Sequence, residues 1–537
     1  MKLQTLFKVT AIASALALAG CGGDISVNPT VNDNSTNNSN NTVNNPPAED
    51  GGDPTDPGTE NLCAEHNGVQ GAFDGRDCEY NLEFASRNVQ ITEDITFAEL
   101  PDGGVHVFDG ALLIGEDCNT TTACTINENG PVMTVEPGAT LAFTSGEAIV
   151  RVARGAKLNA IGTFDKPITF TSANAFTRFD VVGNGPRFAD WGGIIVNGQG
   201  ITNQCTDAQR DANTCNVPSE GIISYYGGND NADDSGSMKY AKIWYAGSGP
   251  RAGGDGDDLN SLTLNAVGSG SSYEFVHVHQ GYDDGIEFFG GAANIKHVVF
   301  TDTQDDSVDI DSGWQGNAQF LFVKHGTVNV DGTDVFMGNG GFESDGQSNG
   351  GPDYSQAPAS RPTIANVTVV TTDGLSTRDN DPSTAMKFDD NYQGQLYNFL
   401  LVKDDVSTND TRCILFTGDG ELGVTGGDLN FYNSAMACVA ENEFTSNALF
   451  ADGTSRQDWF DNGGVNARLG GNATVFAADG FSTDMSSADI TVTANDLSEL
   501  GNDFFDAVDY IGAVSSTDTS SEWYQWVQTA LTAAEQD

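Results

Sequence analysis

Basic residues are scarce in this chain: 23 Lys and Arg stand against 76 Asp and Glu, a formal net charge of −53. A surface so acidic repels phosphate backbones and anionic lipid headgroups, which argues against nucleic acid as a partner and against direct binding to a membrane surface. Histidine is rare too, with 6 in the chain and no ligand-spaced set, and no CxxC pair occurs, so the sequence offers no transition-metal or zinc site. Long apolar runs are missing. The one from Val9 to Ala19 is too short to span a bilayer. Residues 22–60 hold almost nothing apolar and are dominated by Asn, Thr, Pro and Asp; they cannot bury a core and read as a disordered tether.

Lys2 and Lys8 precede the Val9–Ala19 run, which ends in Leu18-Ala19-Gly20-Cys21. This resembles the lipobox of bacterial lipoproteins. The resemblance implies cleavage of residues 1–21 before the cysteine, lipidation of Cys21 and, because Gly22 follows rather than Asp, an outer-membrane address. The membrane is then touched through the lipid only, and the tether would hold the folded part clear of it. Without Cys21, 8 of the 9 cysteines remain, an even number in an exported chain. They form four local couples, Cys63 with Cys78, Cys118 with Cys124, Cys205 with Cys215 and Cys413 with Cys438, and are expected to be disulfides by proximity.

Glycine is plentiful, at 64 residues, and it punctuates short alternating apolar runs. Between Tyr273 and Asp331 the text repeats when shifted by 22 residues: Asp283-Asp284-Gly285-Ile286-Glu287 falls over Asp305-Asp306-Ser307-Val308-Asp309, and Val330-Asp331 falls one step further. Val276 and Val278 fall over Val298 and Phe300, then Phe320 and Phe322. Such a period, carrying strands and Gly/Asp turns, predicts a parallel β-helix, an all-β solenoid of single-stranded coils. Residues 61–128 are expected to cap or begin it, 129–480 to form the coils, and 481–537 to close it with a short helix, Glu522 to Glu535, over the last coil. Asn203 to Ser219 and Gly338 to Pro362 read as loops leaving the coils.

Asp190–Gly198 (DWGGIIVNG), Tyr225–Gly247, Leu259–Val278, Asp283–Gly291 (DDGIEFFGG) and Gly341–Asp345 (GFESD) carry a further resemblance. Together they are similar to a family of bacterial surface proteins, many of them lipoproteins, with a pectate-lyase-like right-handed parallel β-helix. The resemblance implies that fold over roughly residues 130–515 and no particular reaction, so no catalytic residue is carried over.

In the predicted stack, Asp283 lies over Asp305, Asp284 over Asp306, and Glu287 over Asp309 over Asp331. Strands in successive coils are about 4.8 Å apart. Two carboxylates at that distance repel by roughly 3.5 kcal/mol at an effective dielectric near 20. Splaying into water, held protons or a bridging hard cation would each relieve this, and calcium, with its many oxygen ligands, is the cofactor such a row suits. Gly253–Asp258 matches the start of a calcium nonapeptide, but singly and with Asn260 at its apolar position.

For catalysis, Lys324 is a candidate lyase base, or else half of an ion-pair ladder with Asp302. Gln304-Asp305-Asp306 resembles a hydrolase aspartate pair without its companion signatures. Tyr282 and Trp314 are candidate sugar platforms, the latter equally readable as core. The reading that follows is a surface-displayed β-helix that binds carbohydrate, matrix or a nutrient, stabilised by calcium and paired with an outer-membrane transporter if its address demands one. The alternative is a calcium-dependent polysaccharide lyase, ahead of a glycoside hydrolase.

Overall fold

The computed structural model describes residues 60–117, 125–248, 258–347, 356–371, 383–403, 412–438, 443–444, 449–463, 465–469, 492–515 and 517–534, with Ser376. Cys21, Cys118, Cys124, the stretches read as a signal segment and a tether, and most of Gly253–Asp258 lie outside the described residues. Among the described residues no helix is long and apolar enough to cross a membrane.

Short alternating runs pair side by side into two parallel sheets, one of 18 strands and one of 10. Around the acidic blocks the strands are β1 (Leu262–Asn265), β2 (Ser272–His279), β3 (Ile286–Phe289), β4 (Asn294–Thr301), β5 (Asp306–Asp311), β6 (Asn317–Lys324), β7 (Gly340–Ser344), β8 (Thr363–Thr371) and β9 (Thr384–Phe388). The short strands β1, β3, β5, β7 and β9 pair in that order in the smaller sheet, while β2, β4, β6 and β8 pair in the larger. Each coil therefore contributes one short and one long strand. The chain is an all-β parallel β-helix.

The long strands turn a corner in their middle. Phe275, His297, Phe320 and Asn366 have φ of 51°, 58°, 60° and 53°, a left-handed conformation that costs a non-glycine residue free energy. Stacking offsets that cost. Tyr240 lies 4.5 Å from Phe275, Phe275 4.5 Å from His297, and His297 4.8 Å from Phe320, ring over ring along the corner. On later coils the corner is Asn, and Asn366 Nδ2 donates to Tyr510 O at 3.1 Å while Asn433 Nδ2 donates to Thr493 O at 2.7 Å. The C-terminal segment thus runs back along the corners. It ends in helix α1 (Glu522–Ala534), which lays Trp523, Trp526 and Val527 on Tyr240, Phe275 and Phe320. The helix expected over the last coil sits instead on the flank of middle coils, because that is where the exposed aromatic corner needs cover.

Two further expectations change, and of the two roles expected for residues 61–128 the structure shows them beginning the coils: Cys78–Tyr80 pairs in parallel with His106–Phe108, and that strand with Leu141–Phe143. Strands of three residues are too short to show their alternation. The repeat of 22 holds from Val276 to Val298 and from Glu287 to Asp309, then slips. Val298 pairs with Leu321 and Phe300 with Val323, one residue beyond the expected Phe320 and Phe322, because the connection from Asp311 to Ala318 is one residue longer than that from Phe289 to Ile295. Gly338 to Pro362 is not all loop, since it contains β7.

The interior is a column of apolar side chains that includes Val276, Ile286, Phe288, Val308, Ile310 and Phe342, each at most 1% exposed. Trp314 belongs to this column, with its ring 4.0 Å from Phe288 and Nε1 donating to Ala293 O at 3.0 Å. It is core, not a sugar platform. Disulfides join Cys63 to Cys78, Cys205 to Cys215 and Cys413 to Cys438. Trp314→Ala should cost about 3–5 kcal/mol of stability, read from the guanidinium unfolding midpoint; an unchanged midpoint would place the ring outside the core.

Candidate functional site

Side chains of a strand alternate between the two faces of its sheet. In the smaller sheet Ile286, Val308, Phe342 and Met386 point inward, so their neighbours Glu287, Asp309, Glu343 and Lys387 face outward. Register sets Thr263 beside Glu287, Glu287 beside Asp309, and Asp309 beside Glu343. A second outward row follows two positions on: Asn265, Phe289 and Asp311, with Asp345 bridging to Asp389 beyond. At the opposite edge Asp284 precedes Asp306, whose N–H donates to Asp284 Oδ1 at 3.0 Å. The outer face of β3, β5 and β7 is a floor of carboxylates.

This floor is largely withdrawn from water. Asp284, Glu287 and Asp306 are 7%, 7% and 5% exposed, and Asp309, Asp311 and Asp345 are half-buried. Burial, then the neighbouring acids, pushes Asp284, Glu287, Asp306, Asp309 and Asp345 well above the ordinary carboxylate range. The strongest like-charge neighbour is Asp283 for Asp284, Glu220 for Glu287, and Glu343 for the other three. Burial also raises Asp311 to about 6, although the Ser312 N–H opposes it. Asn260 supports the edge: its Nδ2 donates to Glu287 Oε2 and its Oδ1 accepts the Asp284 N–H. Lys387 bonds Glu343 and stays charged; burial disfavours that charge, but Glu343, Asp306 and Asp345 more than restore it.

Carboxylate oxygens of Asp283, Asp284 and Asp305 lie within 4.8 Å of one another, as do those of Asp284, Glu287 and Asp309. Asp284 belongs to both groups. Asp309 Oδ1 is buried and receives no hydrogen bond among the described residues. Such a set can retain protons, or it can give a hard cation several oxygens at once.

Six of the seven acids chosen from the sequence therefore meet: Asp283, Asp284, Glu287, Asp305, Asp306 and Asp309. The seventh does not. Asp331 sits on an exposed hairpin, Thr327–Val330 with Thr333–Phe336, inserted between β6 and β7, where it pairs with Arg187 at 3.0 Å. Its place in the row is taken by Glu343, which a fixed repeat could not find because the hairpin lengthens that coil. Asp311, Asp345 and Lys387 were also missed. The acid-x-acid patterns Asp309-Ile310-Asp311 and Glu343-Ser344-Asp345 were the available signal, since alternation sends both acids outward.

Lys324 lies on β6 in the other sheet, opposite Thr301 rather than Asp302, and Asp302 Oδ1 accepts the Gly326 N–H at 2.7 Å. Lys324 is not part of the floor. Tyr282 remains at its edge, half-buried beside Asp283, with its ring 6.3 Å from that of Phe188. Phe289 stands half-buried on the floor itself, 6.2 Å from Tyr226.

The family model for the pectate-lyase like beta helix domain matches residues 109–476, a span that contains every coil of the floor. The chain belongs to this family. Among solved structures, this β-helix is similar to the catalytic unit of a thermostable GH87 alpha-1,3-glucanase from Streptomyces thermodiastaticus strain HF3-3, at 10% identity and a TM-score of 0.29. That likeness takes in 63% of this chain and spans about half, 53%, of the glucanase unit. No curated protein matches the chain.

Because the fold favours the neutral form of these acids, they bind more protons in the folded β-helix than in the unfolded chain. Their contribution to stability is then greatest below the ordinary carboxylate pKa and is lost as pH rises. For Asp311 the fall spans the interval from 3.8 to about 6. In EDTA, the melting temperature should drop across that interval, and Asp311→Asn should flatten part of the slope. A melting temperature that climbs with pH there would mean the floor is stabilised as anions.

Proposed function

We propose that this chain is a polysaccharide-binding β-helix, held at the outer membrane by a lipid on Cys21, with calcium seated in its acidic floor. The observation that carries the reading is the pair of carboxylate groups sharing Asp284, together with the undonated Asp309 oxygen. Calcium takes six to eight oxygens in adaptable geometry, which suits clustered Asp and Glu better than it suits the rest of this surface. Such an ion would neutralise a floor that otherwise holds protons, and its remaining positions would be open to hydroxyls or carboxylates of a glycan. The family's pectate-lyase likeness supports a polysaccharide as the ligand class. Tyr282 and Phe289 supply ring faces at the floor for sugar stacking. Display on a tether fits a matrix, a captured nutrient glycan or an outer-membrane transporter as the neighbour.

A second reading is hydrolysis, and it now stands ahead of a lyase. A lyase needs a neutral Lys or a well-placed Arg as base. Lys324 is on the other sheet, and Lys387 is kept protonated by Glu343. A carboxyl group that keeps its proton near neutral pH beside an ionised partner is instead the pairing that protonates a glycosidic oxygen.

Calcium should raise the melting temperature relative to EDTA, and Asp284→Asn combined with Asp309→Asn should abolish the difference. A melting curve indifferent to calcium and chelator would sink the metal reading. On a polysaccharide array, the full chain should retain anionic glycans with calcium and release them in EDTA. Liberation of reducing ends from any of them, lost in Asp311→Asn, would replace binding with hydrolysis.

A further inference from the structure

We infer that the chain carries a second binding site, for an uncharged sugar unit, in a cavity of about 500 Å³ walled by the Cys205–Cys215 loop. The site lies on earlier coils than the acidic floor and does not depend on calcium. Its base is Arg154, a buried cation whose guanidinium donates to Cys215 O at 3.2 Å, Gly227 O at 2.9 Å and Asn216 Oδ1 at 2.8 Å. Arginine offers donors only, so the Asn216 amide must turn its oxygen toward it. The Asn216 Nδ2 is thereby left without a partner among the described residues, on a side chain 8% exposed that lines the cavity. A buried donor left unmade costs about 1–3 kcal/mol, which an acceptor on a bound molecule would recover.

Two glycines let the backbone pack closely in the wall of the cavity. Gly227 has φ of 97°, and a Cβ there would fall 2.7 Å from Cys215 Sγ; at Gly228 it would fall 2.4 Å from Gln199 O. Around the mouth, Gln199 Nε2 donates to Glu128 Oε2 at 2.9 Å, and the side chains of Asn213, Asn229 and Asp230 complete the rim. Amide and carboxylate groups set donors beside acceptors. A hydroxyl is both, so a ring bearing several hydroxyls matches such a wall. Glu128 and Asp230 oppose an anion, and Arg154 beneath opposes a cation. The volume falls within the roughly 300–1,000 Å³ of small-ligand pockets.

Titration calorimetry of the full chain in EDTA, with glucose, galactose, mannose and N-acetylglucosamine as separate probes, tests this site while calcium-bridged binding at the floor is silent. At least one sugar should bind. Asn216→Leu should weaken it about tenfold, the equivalent of one neutral hydrogen bond. Gln199→Ala should act in the same direction, and it decides the matter if Asn216→Leu fails to fold. Asp309→Asn should leave the affinity unchanged. Binding of none of the probes, binding that survives the wall variants, or binding lost in Asp309→Asn would each overturn the inference. None of those outcomes bears on calcium binding at the floor, which is read separately by melting temperature.

Discussion

Parallel coils force each residue to lie about 4.8 Å from its counterpart in the next coil, and everything else in this molecule follows from how its side chains tolerate that. Apolar residues tolerate it best. Ile286, Val308, Phe342 and Met386 stack into a dry column whose burial drives folding. Aromatic rings tolerate it by stacking, which lets Tyr240, Phe275, His297 and Phe320 hold a strained corner. Carboxylates tolerate it worst, and the outer face of β3, β5 and β7 concentrates them.

That conflict gives the floor its chemical character. Asp284, Glu287, Asp306, Asp309 and Asp345 lose water and gain like-charged neighbours at once, and the two effects add in favour of the neutral form. A fold selected for stability alone would place apolar or alternating charges in those rows. Among the described residues of the row, Lys387 is the cation, and it serves Glu343. The floor is therefore a set of crowded acids that the fold holds toward the neutral form.

Cover is the other recurring theme. The corner rings would be an exposed apolar strip, and α1 lies on them; the asparagine corners beyond would be open amides, and the returning C-terminal segment accepts their hydrogen bonds. Arg154 is treated the same way, buried beneath the disulfide loop, where it donates to the Cys215 and Gly227 carbonyls. Asp309 and Asp311 of the floor are only half-buried and keep contact with solvent.

The chain's pattern by itself determined the solenoid, the inward column, the three disulfide couples among the described residues and six of the floor's acids. These depend on alternation and on near neighbours in sequence, which a local repeat records faithfully. Tertiary structure alone decided the rest. An inserted hairpin moved Asp331 out of the row and brought in Glu343 from 34 residues beyond Asp309, a separation no fixed period could supply. Trp314 went into the core against Phe288, and Lys324 fell in the larger sheet opposite Thr301, because each coil divides its residues between the interior and two separate sheets. The resting place of α1 was likewise set by which apolar strip lay uncovered after the coils had closed, a property of the assembled surface and not of any stretch of sequence.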